Sequence, residues 1–92
     1  MAATEKNIGV VLCQQGDLEN GLVHFQKALD IEVKSLGLDH VSVADTLNNM
    51  AMVHEQMGDD AKNLELTRKA HAIYLQALGP DHPKTQDIAR FI

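Results

Sequence analysis

The five histidines are the residues of this sequence best suited to binding a metal ion or moving a proton. His54-Glu55 begins the pattern of a helical zinc site, in which a second histidine follows four positions after the first. Gly58 stands at that position, so the pattern is incomplete. His40 and His82 have no cysteine or second histidine at ligand spacing. We therefore predict no metal site, and we expect His40 and His82 to have a structural role where a helix begins.

Nucleophilic catalysis has equally little support. Cys13 is the single cysteine, and no basic residue adjoins it to stabilise a thiolate. It cannot form an intramolecular disulfide, which is typical of a protein from a reducing compartment. The sequence contains no glycine-rich phosphate loop, serine nucleophile elbow or calcium-binding loop. These features predict a protein that is not an enzyme and that needs no cofactor.

Charge and hydropathy argue against further classes of function. Eight basic and 13 acidic residues give a net charge of −5, and the basic residues form no cluster. Counterion-release binding to nucleic acid, and attraction to an anionic membrane, need such a cluster. The longest uncharged apolar run, 8–13, is far shorter than the roughly 18 residues that span a bilayer. We expect a cytoplasmic protein that binds neither nucleic acid nor membranes.

An internal repeat organises the whole chain. The segment 36–40, Leu-Gly-Leu-Asp-His, returns at 78–82 as Leu-Gly-Pro-Asp-His. When 1–50 is aligned with 43–92 in this register, 16 of the 50 pairs are identical by direct count. We call two residues equivalent when this alignment pairs them. Repeats of this length are typical of stacked supersecondary units, each of which buries its apolar face against its neighbours.

Apolar residues at helical spacing predict the repeated unit to be a pair of helices. The predicted helices cover about 4–15, 18–36, 40–57, 60–78 and the segment from 83 onward. The side chains expected to face the core are Ile8, Val11 and Leu12 in the first helix, Leu18, Leu22, Phe25, Ala28, Leu29 and Leu36 in the second, Val43, Leu47, Met50, His54 and Met57 in the third, and Leu66, Ala70, Ile73, Ala77 and Leu78 in the fourth.

Turn residues separate the predicted helices at equivalent places in each repeat. Gly16 and Gly58, each followed by aspartate, predict a tight turn in which glycine ends one helix and aspartate caps the next. Asp39 and Asp81 are the expected N-caps of the third and fifth helices, and Pro83 suits a first helical turn. The chain is therefore predicted to form two helical hairpins and the start of a third.

These residues resemble the tetratricopeptide repeat, and within it the kinesin light chain class. The similarity lies in Gly-Asp between paired helices, Lys-Ala followed by Ile on the second helix, the run 46–51 and the connector 78–83. It covers essentially the whole chain, although Gly21 and Asn63 replace the usual alanine and Thr67 stands where Phe25 matches. The resemblance implies an all-α superhelix, or solenoid, in one domain, with repeats at about 1–38 and 39–80 and a partial repeat at about 81–92.

The resemblance also implies a concave groove, lined by the first helix of each hairpin, that binds peptides or proteins. Asn7 and Asn49 are equivalent, and a side-chain amide can bond the main chain of an extended peptide. Asn49 has an alternative role, which is to tie adjacent helices together. The predicted peptide-binding residues are Lys6, Asn7, Val10, Gln14, Asp45, Asn48, Asn49, Met52, Glu55, Gln56 and Arg90, with Cys13 and Asp87 on the same surface.

The predicted groove carries charges of both signs. Lys6 and Arg90 are candidate anchors for an acidic partner, and the alternative is that they are solvated surface charges. Asp45, Glu55 and Asp87 lie on the same predicted surface, so electrostatics does not favour a strongly acidic ligand.

Two hypotheses about function follow. The first is a non-enzymatic adaptor or scaffold that holds an extended or helical segment of a partner in the groove. The alternative is a structural unit that assembles into homo-oligomers through apolar ends, which Phe91 and Ile92 suggest. An enzyme would need a deep pocket with converging carboxylates or histidines.

Overall fold

Five α-helices form the part of the chain that the computed structural model describes, residues 2–92. They are α1 (Ala2–Gln14), α2 (Leu18–Leu36), α3 (Val41–Gln56), α4 (Asp60–Leu78) and α5 (Pro83–Ala89). The most extensive packing is between α1 and α2 and between α3 and α4, while α2 also packs against α3 and α4 against α5. The all-α architecture of sequential hairpins is confirmed, and so are the predicted bounds of α2 and α4.

Each hairpin turns at a glycine followed by an aspartate. Gly16 and Gly58 have φ angles of +87° and +80°, a left-handed conformation that glycine adopts without steric cost. Asp17 and Asp59 accept hydrogen bonds from the backbone N–H of Asn20 and Lys62 at 3.4 and 3.1 Å. The predicted turn and caps are confirmed.

Histidines, not aspartates, cap the helices that begin each later repeat. The Nδ1 atom of His40 accepts from Ser42 N–H at 3.0 Å, and Nδ1 of His82 accepts from Lys84 N–H at 3.1 Å. The prediction of Asp39 and Asp81 is wrong because the residue directly before α3 and before α5 is a histidine, which lies one position after the aspartate. The accepting Nδ1 carries no proton, so each imidazole is the Nε2–H tautomer.

A buried ion pair within the first hairpin is hydrogen-bonded to α3 of the second. Glu32 of α2 is only 3% exposed. Its carboxylate lies 2.7 Å from Lys6 Nζ of α1 and accepts from the Thr46 hydroxyl of α3 at 2.5 Å. Lys6 also donates to the Ser42 carbonyl at 3.3 Å. We call this cluster the first junction, because it links three helices of both hairpins.

A different set of polar groups occupies the equivalent place between the second hairpin and α5. Tyr74 is the equivalent of Glu32, and its hydroxyl donates to Asp45. Burial and this hydrogen bond raise the pKa of Tyr74. Lys84 Nζ lies 3.3 and 3.4 Å from the two carboxylate oxygens of Asp45 and 5.9 Å from the centre of the Tyr74 ring. We call this cluster the second junction.

The core is centred on α3, and α1 contributes less to it than predicted. Ile8 and Val11 are 38% and 48% exposed, whereas their equivalents Met50 and Val53 are 7% and 3% exposed. The first hairpin covers the face of α3 that carries Met50 and Val53, while no described helix covers the equivalent face of α1. The core predictions for Ile8 and Val11 are therefore wrong.

Three further core predictions fail at helix ends. Leu36, Met57 and Ala77 are exposed because each lies at, or just past, the last turn of its helix, where the apolar stripe continues beyond the packed neighbour. Phe25, Ala28, Val43, Leu47, Met50, Leu66 and Ala70 are buried as predicted.

The two departures from alanine on the second helices have separate structural reasons. A Cβ at Gly21 would collide with Cys13 Sγ and lie 3.2 Å from the Gly9 carbonyl oxygen, so glycine permits the close approach of α1 and α2. Asn63 instead accepts from the hydroxyl of buried Thr67 at 3.2 Å. Thr67, which stands where the first repeat has the larger Phe25, thus supplies the hydrogen bond that the partly buried amide of Asn63 needs.

We predict that Lys6→Met destabilises the fold by about 2–4 kcal/mol, because it leaves the buried Glu32 carboxylate without its counter-charge. Urea unfolding followed by circular dichroism measures the change, and Lys27→Met, at an exposed position of α2, is the matched control. The double variant Lys6→Met/Glu32→Leu should recover most of the loss, since it removes both charges. If Lys6→Met is no less stable than Lys27→Met, the result would contradict a structural role for the Lys6–Glu32 ion pair.

We predict that His40→Ala costs about 1 kcal/mol, the usual magnitude for loss of an N-cap, and that His40→Asn restores most of it. The same unfolding measurement tests this prediction. Equal stability of the two variants would show that the acceptor atom at this position contributes nothing.

Candidate functional site

A cleft between α1 and α3 contains five of the eleven predicted peptide-binding residues, Val10 and Gln14 from the first repeat and Asn49, Met52 and Gln56 from the second. Its volume is about 250 Å³. We call it the first cleft, and its lining consists of Val10, Cys13, Gln14, Phe25, Asn49, Met52, Val53 and Gln56. The structure thus brings together residues that lie in different repeats of the chain.

The chemistry of the first cleft is apolar with amide groups at its rim. Val10 and Met52 are 39% and 52% exposed, and buried Phe25 closes the bottom. Gln14, Asn49 and Gln56 add side-chain amides, each able to donate and accept hydrogen bonds. Within the described part of the chain, the lining of this cleft includes no charged side chain.

Cys13 contributes to the cleft as a small apolar side chain. Burial, assisted by the nearby Asp17 carboxylate, raises the pKa of its thiol. A raised pKa keeps the thiol protonated, which disfavours the nucleophilic thiolate.

A second cleft lies between α3, α4 and α5, beside the second junction. Its volume is about 240 Å³, and its lining consists of Asp45, Asn48, Tyr74, Lys84, Asp87, Ile88 and Phe91. This second cleft is charged where the first is neutral.

A third, smaller cleft of about 120 Å³ lies at the place equivalent to the first cleft, one hairpin further along the chain. Met52, Glu55, Thr67 and Phe91 line it, and they are the equivalents of Val10, Cys13, Phe25 and Asn49. Phe91 and Glu55 are larger than the residues they replace, in keeping with the smaller volume. Asn48, Ala51 and Asn63 complete its lining.

Three predicted binding residues line none of these clefts. The ammonium of Lys6 lies 2.7 Å from the Glu32 carboxylate, so anchoring a ligand would require breaking the first junction. Asn7 is exposed on α1, and Arg90 is exposed with its guanidinium 4.0 Å from Asp87. A part for Asn7 and Arg90 in binding stays a prediction.

The sequence reasoning missed the residues that come from second helices and from α5. Phe25 was identifiable as buried, but only the arrangement of α1, α2 and α3 in the structure shows that it closes a cleft. Tyr74 and Lys84 are brought to Asp45 by contacts between residues far apart in the chain. The internal repeat was a usable signal for Tyr74, because it places the tyrosine where the first repeat has Glu32.

Neither a metal centre nor a membrane-spanning helix is found among residues 2–92. This part of the chain contains no group of three or more histidine, cysteine, aspartate or glutamate side chains arranged to hold a metal ion. None of its five helices combines the length and apolar character that a bilayer crossing requires.

Comparison with known protein families finds the tetratricopeptide repeat over residues 1–74, a segment that includes α1, α2, α3 and most of α4. Comparison with curated proteins finds no significant match. Tetratricopeptide domains are generally protein–protein interaction modules. With the match extending over most of its length and its helices arranged as sequential hairpins, the chain belongs to the tetratricopeptide repeat family.

Proposed function

We propose that the chain is a non-enzymatic adaptor module that binds a segment of a partner protein across the first, second and third clefts, which together we call the groove. The observation that carries the proposal is the first cleft, where an apolar hollow is ringed by three amide side chains. Such a surface can accept an apolar side chain and bond the peptide main chain beside it.

The size of the clefts favours a peptide over a small-molecule ligand. Pockets for drug-sized ligands and cofactors usually have about 300–1,000 Å³, whereas the first cleft has about 250 Å³. Burying one apolar side chain contributes about 1.5–3 kcal/mol, and a Kd of about 1 μM requires about 8 kcal/mol. One cleft therefore cannot hold a partner by itself, and a segment that extends over several clefts is required.

Finer features of the proposal rest on the sequence pattern. We assign the repeats to the kinesin light chain class, which the length of the repeat and the connector 78–83 support. We also propose a cytoplasmic location, which the lone cysteine supports. The repeat bounds of about 1–38, 39–80 and 81–92 agree with the helix bounds but remain part of this proposal.

We predict that Asn49→Ala/Gln56→Ala weakens binding of groove-directed peptides about tenfold, because both amides lose their bonds to the peptide main chain. The probes are nonapeptides selected from a displayed random library, and fluorescence anisotropy measures their affinity. Gln76→Ala, an exposed amide of α4, is the control. Unchanged affinity in the double variant would contradict the groove, while a large loss of folding stability would favour the tying role of Asn49.

Self-assembly is a second candidate function, and the exposed face of α1 favours it. The face that carries Ile8 and Val11 is equivalent to the α3 face that the first hairpin buries. Phe91 and Ile92 are 69% and 51% exposed at the other end of the chain. A hairpin from another copy could cover the α1 face as the first hairpin covers α3.

We predict that, if the chain self-assembles, Val11→Lys dissociates the oligomer, because a lysine cannot be buried unpaired at a contact between repeats. Sedimentation equilibrium over a range of protein concentrations measures the mass. Val23→Lys is a matched control, since Val23 is 50% exposed and its equivalent Glu65 is exposed as well. A strictly monomeric chain at the highest concentration would remove this candidate.

A further inference from the structure

The place that a lysine fills at the first junction is open at the second. Lys6 extends from α1 to the buried carboxylate of Glu32. The equivalent of Lys6 is Asn48, which is shorter and uncharged. Asn48 lines the second cleft together with Tyr74 and Ile88, the equivalents of Glu32 and Thr46. The second cleft is therefore the equivalent inter-repeat site without a lysine from the first helix of the hairpin, and the lysine that lines it, Lys84, comes from α5.

The charges around the second cleft leave one carboxylate available. Asp45 already accepts from the Tyr74 hydroxyl and has Lys84 Nζ at 3.3 Å. The Asp87 side chain is 70% exposed. The Arg90 guanidinium lies 4.0 Å from its carboxylate, and the Arg90 side chain is itself 78% exposed. An ion pair this long and this exposed contributes little to stability, so another cation readily replaces Arg90 beside Asp87.

Aromatic side chains supply a second attraction for a cation. Phe91 lines the second cleft and is 69% exposed. The Tyr74 ring lines the same cleft and already has one ammonium, that of Lys84, at 5.9 Å from its centre. Lysine and arginine side chains bind favourably over such rings.

We propose that the second cleft binds one basic side chain, lysine or arginine, of the partner segment that occupies the groove. The inference rests on the proposed groove function and names its partner chemistry. The bound cation contacts the Asp87 carboxylate, the Asn48 side-chain carbonyl and the face of Phe91.

Electrostatics disfavours an acidic side chain at the same place. An added carboxylate would face both Asp45 and Asp87, while Lys84 is already engaged with Asp45. The chain carries a net charge of −5, which favours encounter with a basic segment. A partner with an apolar residue for the neutral first cleft and a basic residue for the second therefore matches the groove.

The test uses a displayed library of random nonapeptides, selected on the folded chain. The expected result is a recurrent lysine or arginine in the selected peptides. Replacing that residue by glutamine, or changing Asp87→Asn, should each weaken binding about three- to tenfold by anisotropy. The two changes together should cost no more than one of them, since they remove the same contact.

Asp30→Asn is the matched control, because it removes the same charge from an exposed position of α2 and should leave affinity unchanged. This inference would be overturned by selected peptides without a recurrent basic residue. It would also be overturned if the losses of affinity caused by Asp87→Asn and by the change in the peptide added independently. In either case the proposed groove would stand, provided that Asn49→Ala/Gln56→Ala still weakens binding. Peptides insensitive to Asn49→Ala/Gln56→Ala, or no selected peptide at all, would overturn the proposed groove and this inference with it.

Discussion

The arrangement of the two hairpins depends on a buried carboxylate at their junction. A buried charge is costly unless it is paired and hydrogen-bonded. Glu32 meets this requirement through Lys6 of α1 and Thr46 of α3, so its burial is favourable only when three helices take one relative position. An apolar contact would tolerate sliding between helices, whereas this cluster specifies a register. The cleft between α1 and α3 then follows, because the same register sets these two helices side by side.

The two junctions show how a repeated backbone can serve different purposes. At the first, a lysine and a glutamate neutralise each other and close the space between the repeats. At the second, Tyr74 and Asp45 supply the polar contact, and the shorter Asn48 leaves a cleft with an available carboxylate. The difference of a few side chains at equivalent positions thus replaces a paired structural contact by a charged cleft. The first and third clefts vary in the same way, since Phe91 replaces Asn49 and reduces the volume.

Local features were predictable from the sequence, and contacts between distant residues were not. Glycine and aspartate at the hairpin turns act over a short stretch of chain, so α2 and α4 could be delimited correctly. Histidine was not recognised as a cap, because Asp39 and Asp81 are the more usual residue type and lie only one position earlier. The role of Lys6 depends on Glu32 of another helix, and no local pattern indicates that contact. The three amide residues of the first cleft were all predicted through the family resemblance, whereas its apolar bottom at Phe25 emerges from packing alone.

The claim at the centre of this account is that partners bind on the side of α1, α3 and α5. Heteronuclear NMR of the labelled chain, titrated with a selected nonapeptide, tests it most directly. We expect the largest shifts at the side-chain amides of Gln14, Asn49 and Gln56, which surround the first cleft. Shifts confined to Leu29, Val33 and Ile73, which line an apolar depression between α2 and α4 on the other side of the hairpins, would contradict it.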